Sequence, residues 1–264
     1  MSGMKERYGG VALVTGASSG IGAAFCRKFA ASGLNVVAVA RRSERLAALK
    51  EELESLYRIT VTPISLDVAD EKAVERLSAA LANEGIEIDI LVNNAGFGTL
   101  GAVEVVPREK NLGMVDLNCR AVVDLTAHFL PAMKARKRGA VIIVSSVVGT
   151  IAAPWFATYS ATKAFDLYFG EALHGECRGS GVDVLTVLPG LTRTEFQAGA
   201  GLREYHSPYR SAEQVVETAC AALGRKAIVV DGWLNKVMSH GARFLPRSLA
   251  LALSRFVMKR ELGM

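Results

Sequence analysis

The chain has 264 residues, half of them apolar and 22% charged, and its 31 lysines and arginines outnumber its 26 aspartates and glutamates for a formal net charge of +5. That composition supplies a large buried core and excludes a disordered or collagen-like chain. A basic balance can serve nucleic acid or an anionic surface, but most of these cations are scattered singly, so solvated surface is expected and no nucleic-acid partner. Cys26, Cys119, Cys177 and Cys220 lie far apart with no C-x-x-C, and the four histidines form no H-E-x-x-H, so reduced structural thiols and no metal site are expected. The N-terminus, MSGMKERYGGVALVTG, has no apolar core of a secretory signal, and no uninterrupted apolar run approaches the roughly 18 residues of a spanning helix. Both observations point to a soluble, cytoplasmic protein.

Segments 11–15, 35–40, 60–66, 88–93, 140–145, 182–188 and 227–230 are short, β-branched and continuously apolar, which predicts strands buried on both faces. Between them, 21–32, 43–57, 71–83, 109–137, 159–179 and 212–223 carry helical patterns. Repeated β-α alternation implies right-handed crossovers and an α/β, doubly wound parallel sheet. No linker or repeat divides the chain, so one domain is expected, with residues 1–235 forming its body and 236–264 a C-terminal helical extension.

Thr15-Gly16-Ala17-Ser18-Ser19-Gly20-Ile21-Gly22 follows the first strand and opens the first helix. Glycines let the backbone approach a pyrophosphate, and the helix N-terminus offers free N–H groups and a favourable dipole. A glycine-rich turn alone is weak evidence; its place between strand and helix sharpens it. Rossmann folds that bind NAD end the second strand in an acid that holds the ribose 2′-hydroxyl. Here Ala40-Arg41-Arg42 stands there instead. Guanidinium groups suit a 2′-phosphate, which favours NADP(H), with Ser18 or Ser19 as added donors. The alternative is two solvated arginines at a helix start.

Tyr159 and Lys163 form a Y-x-x-x-K pair on one helix face. A nearby ammonium favours the phenolate of a tyrosine that otherwise titrates near 10, which fits it for general acid–base work. Such pairs also arise as surface neighbours. Ser145-Ser146 before Val147-Val148-Gly149 reads as turn chemistry when taken alone, as do Asn93-Asn94-Ala95-Gly96 and Pro189-Gly190. Asp67, before Val68, is open to a helix-capping role. Asn118 is unfavourable inside a long helix and invites an explanation.

In this order and spacing the motifs, spanning about residues 11–194, resemble the short-chain dehydrogenase/reductase family, whose phosphate loop has the T-G-x-x-x-G-x-G spacing seen here. The resemblance implies a Rossmann-type sheet of seven strands and hydride transfer between the 4-pro-S side of nicotinamide C4 and a carbonyl carbon. It implies cofactor contacts from Gly16, Ser18, Ser19, Gly20, Ile21 and Gly22, from Arg41 and Arg42, and from Asp67 and Val68 at the adenine. The Asn93-Asn94-Ala95-Gly96 motif would support the sheet and, through Asn93, Ala95 and Gly96, line the adenosine ribose, and Pro189, Gly190, Thr192 and Thr194 would line the carboxamide. Tyr159 and Lys163 would touch cofactor and drive proton transfer, Ser146 would hold the reacting carbonyl, and Asn118 would hold a water linking Lys163 to solvent. A homodimer built from segments 109–137 and 159–179 is expected, or the family's tetramer, which the C-terminal extension makes less compatible.

Beyond Asp231-Gly232 the chain resembles the branch of bacterial carbonyl reductases, related to 17β-hydroxysteroid and long-chain 3-oxoacyl reductases. Segment 195–210, with Phe196, Leu202, Tyr205 and Tyr209, is expected to cover the substrate, joined by Phe97, Trp155 and Phe156. These aromatics suggest an apolar carbonyl substrate, or simply pack the loop. In the tail, Leu245, Leu249, Leu253, Phe256 and Val257 make one helical stripe flanked by cations. It is expected to pack on the protein itself, over the cleft or a dimer edge; peripheral contact with an anionic membrane is the alternative. The function expected is an NADP(H)-dependent oxidoreductase acting on a small-molecule carbonyl or alcohol, against a non-catalytic NADP sensor on the same fold.

Overall fold

Strands with no polar face must be covered on both sides, and a parallel sheet between two helical layers does this. The computed structural model describes residues 3–201 and 209–262. Its strands are β1 (Val11–Thr15), β2 (Asn35–Ala40), β3 (Val61–Ser65), β4 (Ile90–Asn93), β5 (Gly139–Val144), β6 (Val182–Leu188) and β7 (Ile228–Val230). All pair in parallel in the order β3-β2-β1-β4-β5-β6-β7. β1 sits between β2 and β4, with Ala12 opposite both Val36 and Ile90. The strand order therefore reverses beside β1, and the crevice at the carboxyl ends of β1 and β4 is where such sheets bind ligands.

After the short α1 (Gly3–Tyr8), helices α2 (Gly20–Ala31) and α3 (Ser43–Leu56) pack on one face of the sheet. Phe25, Phe29, Leu46 and Leu53 join Val14, Ala38, Ile142 and Leu185 in that layer's core. On the other face lie α4 (Ala73–Asn83), α5 (Arg108–Val115), α6 (Ala121–Ala135) and α7 (Ala157–Glu176), with Leu77, Leu125, Phe129 and Leu173 against Leu13, Val37 and Val141. Two later elements follow: α8 (Phe196–Ala200), near the sheet's carboxyl edge, and α9 (Ala212–Ala222), which returns to the first face.

Three features depart from the sequence reading. The helix expected over 109–137 is α5 and α6 joined by a π-helical turn, Asp116–Arg120, closed by the bond from Ala121 N–H to Asp116 O. Asp89 does not extend β4; its carboxylate accepts the Gly10 and Val11 N–H groups at 2.7 and 3.1 Å. The tail is two helices, α10 (Trp233–Phe244) and α11 (Arg247–Leu262), parted at Leu245-Pro246 because proline cannot continue the first. Its expected stripe does not pack on this chain: Leu249, Leu253, Phe256 and Val257 are exposed, while Ser254 turns inward and Met258 packs beside the cleft. Among the described residues no helix is long and apolar enough to cross a membrane.

Helix α7 lies so close to the sheet that a Cβ at Gly170 would overlap Thr186 Oγ1 and stand 3.2 Å from Ile143 Cδ1. Alanine gains about 1 kcal/mol of helix propensity, but overpacking of this kind costs about 1–3 kcal/mol. Gly170→Ala should therefore lower stability in urea denaturation, and Gly170→Ala/Thr186→Ala should recover most of the loss. Unchanged stability in the single variant would refute this contact.

Candidate active site

The crevice is built first by glycine. Gly16 and Gly20 have φ of +67° and +54°, values that L side chains rarely adopt. A Cβ at Gly22 would overlap the Gly16 carbonyl, so the turn closes onto α2 only without a side chain. Ser19 starts α2 without a side-chain cap, which leaves first-turn N–H groups for a ligand. Thr15 Oγ1 accepts the N–H groups of Asn94 and Ala95, both at 3.0 Å, and Asn94 Nδ2 donates to Thr15 O at 2.8 Å. These bonds hold the end of β4 against the glycine turn.

Along this crevice the expected residues separate. Arg42 donates from Nε and Nη2 to Ser18 Oγ at 3.1 and 2.8 Å, from Nη2 to Ser19 Oγ at 2.8 Å, and from Nη1 to Glu195 Oε2 at 2.8 Å. Arg41 is three-quarters exposed and 3.6 Å from Asp67. Asp67 also accepts the Ala69 N–H at 3.0 Å, which is a turn-capping contact, and Val68 is core. Ile21 is partly buried against the core of the α2 face. Asn93 departs from expectation: its amide is buried and donates to Thr126 Oγ1 at 2.9 Å, on α6. The side chain serves packing, and the surface of the crevice falls to Ala95 and Gly96.

Ser146, Tyr159 and Lys163 converge at the carboxyl end of β5. Ser145 Oγ is spent on Lys163 O at 2.6 Å, whereas Ser146 Oγ reaches Tyr159 and lies 3.4 Å from Pro189 O. Tyr159 is 7% exposed and packs against the rings of Phe156 and Phe196, at centroid distances of 4.5 and 5.3 Å. Burial raises its pKa; Lys163 and Ser146 pull the other way without prevailing. The ammonium does favour the phenolate, as the helix spacing suggested, but desolvation outweighs it. Lys163 Nζ donates to Val144 O at 2.9 Å and to Asp166 Oδ2 at 2.8 Å. Burial disfavours the ammonium, yet Asp166 and Tyr159 hold its pKa above the ordinary lysine value.

Asn118 lies in the π turn, fully buried. Its Nδ2 donates to Phe97 O and Thr162 Oγ1, both at 3.0 Å, and its Oδ1 accepts Phe97 N–H at 3.2 Å. That explains a mid-helix asparagine: it is locked across α5–α6 to α7. Thr192 Oγ1 donates to Gly190 O at 3.1 Å, and Gly190 is held bare by the Asn235 side chain. Thr194 presses on Gly20, its Cγ2 2.9 Å from where a Cβ would stand. Of the expected substrate-side residues, Phe97, Phe156 and Phe196 pack with Tyr159, and Trp155 lies beside them in the left-handed region. Leu202 and Tyr205 lie outside the described residues.

Four residues of this site escaped the sequence reading. Asp166 was visible as an i, i+3 partner of Lys163. Asn94 sat within a motif whose other members drew attention. Thr15 headed the glycine motif and Glu195 opened the segment over the substrate, but neither drew a role of its own, since their partners are distant in sequence. Among the described residues no group of three or more histidine, cysteine or acidic side chains is placed to hold a metal.

Residues 10–204 match the short chain dehydrogenase family model. The chain is 34% identical over 246 residues to a 7beta-hydroxysteroid dehydrogenase of Collinsella aerofaciens, covering 90% of this chain and 91% of that protein. It is 32% identical to the human very-long-chain 3-oxoacyl-CoA reductase, over 96% of this chain and 80% of the relative. A solved 7beta-hydroxysteroid dehydrogenase superposes with TM-score 0.87 at 32% identity, covering 95% and 98% of the two chains. A Sphingobium yanoikuyae short-chain dehydrogenase in complex with NADPH gives 0.79 at 31% identity, over 89% and 93%. The chain belongs to the short chain dehydrogenase family, and is an oxidoreductase of that family.

The buried Lys163–Asp166 pair yields a stability test. Asp166→Leu leaves an ammonium without its counter-charge, which costs about 3–5 kcal/mol in a buried site. Asp166→Leu/Lys163→Met should recover most of it. Urea melts decide; a loss below about 1 kcal/mol in the single variant would mean that the ammonium finds water.

Proposed function

We propose that the protein reduces apolar ketones or aldehydes with NADPH, and runs the reverse oxidation of secondary alcohols with NADP+. The observation that carries this is the meeting of Ser146, Tyr159 and Lys163 at the carboxyl end of β5, beside the glycine turn that opens α2. The crevice fits a dinucleotide phosphate. Its floor is bare backbone at Gly16, Gly22 and Gly96; a Cβ at Gly96 would crowd Asn118 Oδ1 and Lys163 Nζ at 3.1 and 3.5 Å. Two arginines stand where an NAD-selective acid would repel a 2′-phosphate.

When bound, NADPH supplies the hydride that reaches the carbonyl carbon. Ser146 Oγ donates a hydrogen bond to the carbonyl oxygen and stabilises the charge that grows there. Tyr159 Oη gives that oxygen its proton. The raised pKa suits this role, because the phenol stays protonated at neutral pH. Lys163 keeps its ammonium beside the ring and lowers the energy of the phenolate left behind. Asn118 holds Phe97 and Thr162, and through them the backbone on either side of the lysine. In the oxidative direction Tyr159 must first lose its proton, so that limb gains rate as pH rises.

Substrate chemistry follows from the wall around Tyr159. Phe97, Leu100, Phe156, Phe196 and Met258 surround it with apolar surface. This suits bulky, apolar carbonyls, as do the hydroxysteroid and long-chain 3-oxoacyl relatives. Leu112, Val115, Val123, Phe165 and Tyr168 are exposed on α5, α6 and α7, a surface suited to a second copy in a homodimer.

Two outcomes test the reading. Tyr159→Phe keeps the ring and removes the transferable proton; turnover should fall at least about a hundredfold with NADPH binding retained. Near-normal turnover would refute the assignment. NADPH should bind more tightly than NADH, and Arg41→Ala should weaken it roughly ten- to a hundredfold, the range of a lost charge-assisted contact. Equal affinities for the two cofactors in the unmodified protein, read by fluorescence titration, would overturn the 2′-phosphate site.

A further inference from the structure

The tail is amphipathic in the wrong sense for a helix pair packed on a protein. On α10, Trp233, Val237 and Phe244 are 71%, 62% and 88% exposed, with Leu234 and Met238 beside them. The side turned inward carries Ser239 and Asn235, the latter donating to Asp231 O at 2.7 Å. On α11 the inward positions are Ala250, Ser254 and Met258, and Phe256 on the outside is 68% exposed. Apart from Met258, small or polar residues face the body, and the aromatics face outward.

Charge says what covers this face. Residues 236–264 hold six cations, Lys236, Arg243, Arg247, Arg255, Lys259 and Arg260, against Glu261 alone. Subtracting these from 31 basic and 26 acidic residues leaves 25 of each, so the whole net charge of +5 sits in the tail. Exposed aromatics on helices rimmed by arginine and lysine match a bilayer interface with anionic headgroups. A second copy fits poorly, because a two-fold contact sets the same patch on both partners and would bring six cations against six.

We propose that α10 and α11 dock the protein peripherally on an anionic bilayer, with Trp233, Phe244 and Phe256 seated among the headgroups. Met258 packs into the apolar cluster that holds Phe156 and Tyr159, so docking sets the cleft beside the lipid. Resting on the function proposed above, this gives lipid-dissolved carbonyls a short path to the site. The docking itself is independent of that reading.

Sedimentation with vesicles tests it without any turnover. The protein should pellet with equimolar phosphatidylserine and phosphatidylcholine vesicles and release as salt is raised, and should stay in solution with pure phosphatidylcholine. Trp233→Ser/Phe244→Ser/Phe256→Ser should weaken pelleting at least about tenfold. Arg247→Glu/Arg255→Glu/Lys259→Glu should do the same from the electrostatic side. Both should keep the wild-type melting temperature, elution volume and NADPH oxidation with a water-soluble ketone. No pelleting of the unmodified protein, or binding equal on neutral vesicles, overturns the proposal. So does a triple serine variant that elutes as a smaller assembly, which would assign the face to a second copy.

Discussion

One buried ammonium organises the candidate site of this molecule. Lys163 has left water almost entirely, and its charge survives because a strand-end carbonyl and the Asp166 carboxylate receive it. Breaking such a pair by removing one partner is far more damaging than replacing both. The ion pair is internal to α7, and the bond from Lys163 Nζ to Val144 O ties that helix to the end of β5, and with it Tyr159 one turn earlier. The same charge opposes the desolvation that keeps Tyr159 protonated.

The glycine turn answers a different constraint, one of space. Bonds from Thr15 and Asn94 bring β4 so near the turn that side chains at positions 16 and 22 are excluded. Backbone N–H groups, rather than side chains, then face the crevice. The turn follows β1 and the ammonium is held at the end of β5, with β4 between them in one parallel sheet, and the rigidity of that sheet sets the distance between them.

Much of this was legible in the sequence. Continuous β-branched runs specified parallel strands, and punctuation by glycine marked the tight turn between β1 and α2. Tyr159, Lys163 and Ser146 were readable because their spacing carries the information locally. The direction of a side chain was not. Asn93 shares a motif with Asn94, yet alternation along the strand end turns one toward α6 and the other toward the turn. The π turn around Asn118 depends on contacts with Phe97 and Thr162, from distant segments. The periodicity of the tail revealed an apolar stripe and could not say which way it faced: a helix buried on protein and one laid on another surface share the same pattern.

Three consecutive residues join regions usually considered separately. Thr194 presses on Gly20 of the phosphate turn, Glu195 pairs with Arg42 and Arg45, and Phe196 lies against Tyr159. Arg42 and Arg45 hold the Glu195 carboxylate below the usual glutamate range, so the link is charged at neutral pH. A backbone shift that lifts Phe196 from the tyrosine therefore strains the arginine contacts as well. On the function proposed above, drift in cofactor preference and drift in substrate range would be mechanically yoked in a lineage of such chains, and changes at Arg42 and Phe196 would show epistasis.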